Sequence, residues 1–155
     1  MSTFRVSLVD VYVLRGAEAE LECLVLRRGP YGRCPGSWET VHGHIEGDES
    51  PSGAALRELE EETGLVPLKL YNLSRVECFY QHRRDEVALV PVFTAFVGRE
   101  AVVRVSQEHD RAEWLPWRDA EARFSWPRER RALVDAVTLL HSGEAGPLED
   151  VLRVC

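Results

Sequence analysis

The sequence predicts an α+β domain, an α/β/α sandwich around a mixed β-sheet, and three observations point to it. Strand-like runs rich in Val and Leu occur in both halves, a well-capped amphipathic helix lies between them, and a second amphipathic helix follows near the end. The 155 residues suit one domain, residues 1–155, with a core that needs no disulfides.

Phe4 to Leu14 reads as a strand and Leu21 to Arg28 as its hairpin partner, joined by the polar turn Arg15-Gly16-Ala17-Glu18. Arg28 to Ser37 carries Gly29-Pro30, Gly32 and Pro35-Gly36, which marks a loop, and Trp38 to His42 reads as a short strand. Ser50 is a good N-cap, Pro51 suits the first helical position and Gly64 the left-handed position past the end, so Ser52 to Thr63 forms the helix body. Leu68 to Tyr80 and Val87 to Val97 predict a second hairpin around Gln81 to Asp85. Ala101 to Val105 is expected as a further short strand, and another ends at Glu113 to Pro116. Helices are expected over Arg118 to Phe124 and Pro127 to His141, the latter with Leu133, Val137 and Leu140 on one side.

Hydrophobic residues make up 45% and charged residues 29%, a balance that excludes a disordered chain. The start has no signal-peptide pattern, and no run approaches the roughly 20 apolar residues of a membrane span, so the expectation is a cytoplasmic protein without a membrane partner. A net charge of −7 argues against a nucleic-acid partner, which needs a basic face. A small phosphate ligand needs only local compensation, and all basic residues except Lys69 are arginines, which grip phosphate oxygens in pairs. Cys23, Cys34, Cys78 and Cys155 lack metal or redox spacing; Cys23 and Cys78 suit a strand core. The five histidines lack zinc-site spacing.

The chemistry concentrates in Gly43 to Leu65. At about 100° per residue, Glu58, Glu61 and Glu62 fall within an arc of about 100° on one helix face, while Leu56 and Leu59 occupy the opposite side. The helix is therefore expected to bury its apolar side and turn its acidic face outward. Clustered carboxylates repel and raise one another's pKa unless a cation sits among them, and an all-oxygen donor set points to Mg²⁺, with Mn²⁺ able to replace it. A Glu-Glu-Glu run alone is usually a solvated helix face. The remaining spacing overturns that reading: Gly43, five residues, Glu49, seven residues, Arg57-Glu58, Leu59, one residue, Glu61-Glu62, one residue, Gly64, Leu65.

This string resembles the signature of the Nudix hydrolase superfamily at every defining position, and the order of elements around it is similar to the Nudix fold. The resemblance implies hydrolysis of a diphosphate linkage in a nucleotide-like substrate, by water attacking phosphorus with the help of a divalent metal. It implies Glu58, Glu61 and Glu62 as metal ligands, with the Gly43 carbonyl as a further one. Arg57 would orient the carboxylates, and Glu49 would steady the loop or help position the attacking water. The general base varies in this family; Glu58, Glu61 or Glu108 from a later loop are the candidates here, and Glu108 is equally readable as a solvated loop acid.

Substrate contacts are sought outside this segment. Arg27 and Arg28 at a strand end are candidate phosphate contacts or simply solvated. His44 flanks the single glycine, and Tyr80, His82 and Phe4 are candidate base-stacking groups, although strand aromatics more often pack in the core. Trp114, Trp117 and Trp126 read as packing residues. Trp38 to His44 departs from the Pro-Gly-Gly common before the family helix and resembles instead the branch of dATP or dihydroneopterin triphosphate pyrophosphohydrolases, as do Glu108-His109 to Trp114-Leu115 and Ser125-Trp126-Pro127. The implied substrate is a nucleoside or pterin triphosphate, cleaved to pyrophosphate and a monophosphate. Dinucleoside polyphosphates and nucleotide sugars such as ADP-ribose are the alternatives, and a non-catalytic nucleotide sensor is the reading from another class. A homodimer is the candidate assembly, without an interface legible in the sequence.

Overall fold

The computed structural model describes residues 1–155. The chain runs β1 (Thr3–Val6), β2 (Leu8–Arg15), β3 (Glu22–Arg28), β4 (Trp38–Glu39), β5 (Val41–His44), α1 (Pro51–Thr63), β6 (Lys69–Gln81), β7 (Glu86–Phe96), β8 (His109–Pro116), α2 (Trp117–Arg123), α3 (Pro127–Leu140) and α4 (Glu149–Leu152). No helix is long and apolar enough to cross a membrane.

The sheet is mixed. β7 pairs parallel with β1 and β2 and antiparallel with β6; β2 pairs antiparallel with β3 and β5, and β3 with β4 and β8. Because side chains alternate along a strand, β2 feeds two cores. Val9, Val11 and Val13 pack with Leu59 of α1 on one face, whereas Tyr12 and Leu14 pack with Phe124, Leu133 and Leu140 beneath α2 and α3 on the other. Each such fully buried aliphatic side chain contributes about 1.5–3 kcal/mol.

The long strand expected over Phe4 to Leu14 is interrupted at Ser7. Val6 faces Leu89 but Asp10 faces Val92, so β2 has gained one residue on β7. On the other side of β7, Asn72 faces Phe93 and Val76 faces Pro91, with Ser74 at φ 50° absorbing the slack. Both irregularities bracket Pro91, which has no N–H for either ladder.

Trp38 to His42 is likewise divided, at Thr40. Its amide donates to Glu129 Oε1 at 2.6 Å and its hydroxyl to the Val11 carbonyl at 2.5 Å, and the strand then resumes as far as His44. Ala101 to Val105 is not a strand. Its Arg104 amide bonds the Thr63 carbonyl at 2.8 Å, Ala101 and Val103 rest on the α1-side core, and Val102 is exposed, so the segment drapes over the end of α1 rather than joining a ladder. Cys23 is buried as expected of a core thiol, but Cys78 is exposed, because the sheet surface around it has no covering helix. Trp114 and Trp117 pack against the cores, but Trp126 stands exposed before α3.

Helix α1 starts and stops as its sequence dictates. The Ser50 hydroxyl accepts from the Gly53 amide, Pro51 opens the first turn and Gly64 closes it at φ 71°. Its acidic side does not simply face solvent. Glu58 and Glu62 are 9% and 3% exposed and only Glu61 projects freely, because α1 lies with that side pressed against β5. Leu56, on the expected apolar side, is only partly buried.

Candidate active site

Strand β5 supplies the floor of the site. Gly43 lies beneath α1, and a Cβ there would stand 2.0 Å from the carboxyl carbon of Glu58, so only glycine lets that carboxylate lie over the strand. Residue 43 is thus a close-approach glycine with an ordinary backbone conformation.

Arg57 ties the loop before α1 to the helix. Its guanidinium donates to Glu49 Oε1 at 2.5 Å, to Glu58 Oε1 at 2.8 Å, to Glu61 Oε2 at 3.1 Å and to the His44 carbonyl at 2.7 Å. Glu49 also accepts from the Glu46 amide at 2.8 Å, which fixes the turn. The bonds to Glu49 and then Glu58 raise Arg57 above its usual value despite some desolvation, and the Arg57 bond holds Glu49 below its own. These charge-assisted contacts keep the arginine cationic and the carboxylates aimed.

A cleft of about 310 Å³ opens beside them, lined by Glu58, Glu61, Glu62, Ser106, Gln107 and Glu108, with no apolar side chain among them. Burial pushes Glu58 upward, aided by Glu61 and Glu108 and opposed by Arg57. Burial together with the charges of Glu108, Glu58 and Glu39 pushes Glu62 up to about 10. Its Oε2 is buried without a hydrogen-bond partner.

No three acidic side chains converge at cation-binding distance, in contrast to the convergence expected from helical spacing; Arg57 draws Glu58 and Glu61 toward itself. The donor set nevertheless fits a hard divalent cation. It consists of oxygens only, it includes an orphaned buried carboxylate oxygen, and no cationic side chain lines the cleft itself.

The expected substrate contacts are scattered. Arg27 Nε bonds Asp110 Oδ1 at 2.8 Å, away from the acidic lining. Arg28 is occupied by Glu39 Oε1 at 2.9 Å and by the Arg33 carbonyl at 2.5 Å. The His44 ring is held below its usual pKa by burial and then by His42, Arg84 and Arg33, and it does not line the acidic cleft. Tyr80 is in register with Val87, next to Phe4, at the far end of the sheet, and its hydroxyl bonds Asp85 at 2.8 Å. It does not line the cleft.

Two clusters escape a motif reading. On one side Glu39, Arg28 and His109 meet: Glu39 Oε1 accepts from Arg28 and lies 2.9 Å from His109 Nε2. On the other side of the sheet, buried Asp10 joins His42 Nδ1 at 2.5 Å and bonds Arg128 of α3. Burial alone would raise Asp10, but His42 and Arg128 outweigh it and lower its pKa. The only sequence signal for either cluster is a charged residue at an inward-facing strand position, such as Asp10 between Val9 and Val11.

A model of the NUDIX domain matches residues 5–137. The chain belongs to the Nudix family. An octanoyltransferase from Myxococcus xanthus is 37% identical over 115 residues, which are 69% of this chain and 30% of that protein. The Nudix chain spans between 21% and 54% of the length of the curated relatives it matches. Among solved structures, a C. elegans Ap4A hydrolase superposes with a TM-score of 0.71 at 20% identity, covering 90% of this chain and 98% of that one. The E. coli dihydroneopterin triphosphate pyrophosphohydrolase gives 0.68 at 23% identity, covering 86% and 99%. At such identities the likeness is one of fold: the mixed sheet with helices on both sides is the Nudix fold.

Proposed function

We propose that this Nudix chain hydrolyses a diphosphate linkage in a nucleoside or pterin triphosphate, releasing pyrophosphate and a monophosphate. The observation that carries the reading is the cleft in which Glu58, Glu61, Glu62 and Glu108 face one another beside the Gly43 backbone. Glu58, Glu61, Glu62 and the Gly43 carbonyl would hold Mg²⁺ or Mn²⁺. When bound, the cation supplies the positive charge that a diphosphate requires and makes water more acidic for in-line attack at phosphorus.

The chain's own groups do the rest. Arg57 keeps the Glu58 and Glu61 carboxylates aimed, and Glu49 anchors Arg57 to the preceding loop. Glu58, its pKa raised by burial, and Glu108, which lines the same cleft, are the groups that can take the proton of the attacking water. A sensor that only binds nucleotide would not need the full carboxylate set retained here.

The same cleft would serve a diphosphate linkage in a dinucleoside polyphosphate or in a nucleotide sugar. The two structural neighbours named above stand on opposite sides of that choice. The deciding experiment is a panel of nucleoside triphosphates including dATP, dihydroneopterin triphosphate, diadenosine polyphosphates and ADP-ribose, with Mg²⁺ or Mn²⁺. Pyrophosphate from a triphosphate supports the proposal, a mononucleotide from a dinucleotide moves the substrate class, and silence throughout overturns the hydrolase reading.

A further inference from the structure

We propose that Glu39 is a positioning residue that sets Glu108 over the carboxylate cleft, acting through the imidazole of His109; the inference rests on the hydrolytic reading above. Glu39 is 6% exposed on β4, and a buried carboxylate is costly unless fully partnered. Two cationic or donor groups meet its single oxygen Oε1: Arg28 Nη1 at 2.9 Å and His109 Nε2 at 2.9 Å. Burial alone would raise Glu39, but the bond from His109 and then the charge of Arg28 outweigh it, so the carboxylate stays ionised.

The dependence runs one way. The His109 side chain is 0% exposed and its Nδ1 has no partner, so the bond to Glu39 is the only hydrogen bond its ring makes. His109 follows Glu108 directly, at the point where the chain leaves the cleft and enters β8. The regular ladder is interrupted at that point: the β3–β8 register shifts between Arg27 and Arg28, where Arg28 faces His109, and just beyond β3 the Gly29 amide lies 2.9 Å from the Glu108 carbonyl. Arg28 completes the clamp by binding the Arg33 carbonyl in the loop that follows β3. Glu39 therefore couples the end of β3, the Gly29–Ser37 loop and the Glu108 segment, with no cleft-lining atom of its own.

The test combines kinetics with hydrogen exchange on the full chain. Glu39→Ala is expected to lower kcat about 10- to 100-fold, the range for partners that orient a metal site, with KM nearly unchanged. Glu39→Gln, which keeps an acceptor for Arg28 and His109, should recover most of it. In a Glu108→Gln background, Glu39→Ala should cost almost nothing further, whereas independent, multiplied losses would overturn the coupling. Without any substrate, Glu39→Ala should speed deuterium uptake in the peptide spanning Ser106 to His109 and leave that of α3 unchanged; equal uptake in that peptide would overturn the proposal. If Glu39→Ala does not fold, His109→Asn severs the same link while keeping the Arg28–Glu39 pair, with the same expectations. A wild-type protein inert toward every substrate would defeat the hydrolytic reading, and the exchange result would still decide the clamp.

Discussion

Gly43 and Glu58 share one small volume: the space a side chain at residue 43 would fill is occupied by the Glu58 carboxylate, with its oxygens 2.3 and 2.4 Å from an ideal Cβ. Gly43→Ala is sterically permitted by the backbone but must push Glu58 aside. Since a displacement of about 1 Å in catalytic groups costs about 100-fold, kcat is expected to fall by at least that order while the far-UV circular dichroism is unchanged. Activity within a fewfold of wild type would show that Glu58 does not work from this position.

Glu61 separates chemistry from stability because its side chain is 58% exposed and its one ion pair is with Arg57. Glu61→Gln should leave the melting temperature nearly unchanged, as surface substitutions usually do. If Glu61 holds the cation as proposed, its loss should remove several kcal/mol of transition-state stabilisation, or about 100-fold or more in turnover. Full activity in Glu61→Gln would remove this carboxylate from the site.

The legible part of this protein was whatever local chemistry determines. Ser50, Pro51 and Gly64 delimit α1 through capping, and the fixed spacing from Gly43 to Leu65 places the carboxylates on one helix. What stayed hidden depends on packing between distant segments. The pressing of Glu58 and Glu62 against β5, the draping of Ala101 to Val105 over α1, and the capture of Arg28 by Glu39 all require the tertiary fold. Pro91 was visible within a strand-like run, but its effect on two neighbouring ladders follows only once β7 is known to lie between them.

Divalent cation should stabilise the folded chain, since the Glu62 oxygen without a partner and the facing carboxylates gain a counter-ion. At a concentration about 100 times Kd the gain is about 2.7 kcal/mol. Glu62, pushed up to about 10, must release its proton for the cation to bind, so the stabilisation should grow as pH rises from 6 to 8. Thermal melts with Mg²⁺ and with chelator at the two pH values check this; a melting temperature indifferent to both cation and chelator would contradict the proposed donor set.

Glu129 provides a pH test away from the cleft. It is 0% exposed in α3, Oε1 accepts the Thr40 amide at 2.6 Å, and Oε2 has no partner. Burial, then the charge of Asp10, pushes its pKa well above 4.5, beyond what Arg128 and the Thr40 amide counteract. The folded chain therefore holds a proton that the unfolded chain gives up above its ordinary carboxyl range. The associated stability is fully present below about pH 4.5 and drains away as pH rises toward the folded pKa. Glu129→Gln keeps the acceptor for Thr40 and cannot ionise, so it should escape that loss. Relative to wild type its melting temperature should rise between pH 5 and pH 8, each kcal/mol showing as about 2–4 °C for a domain of this size. A difference between the two proteins that does not change with pH would mean that Glu129 is ionised in the folded state, held so by Arg128.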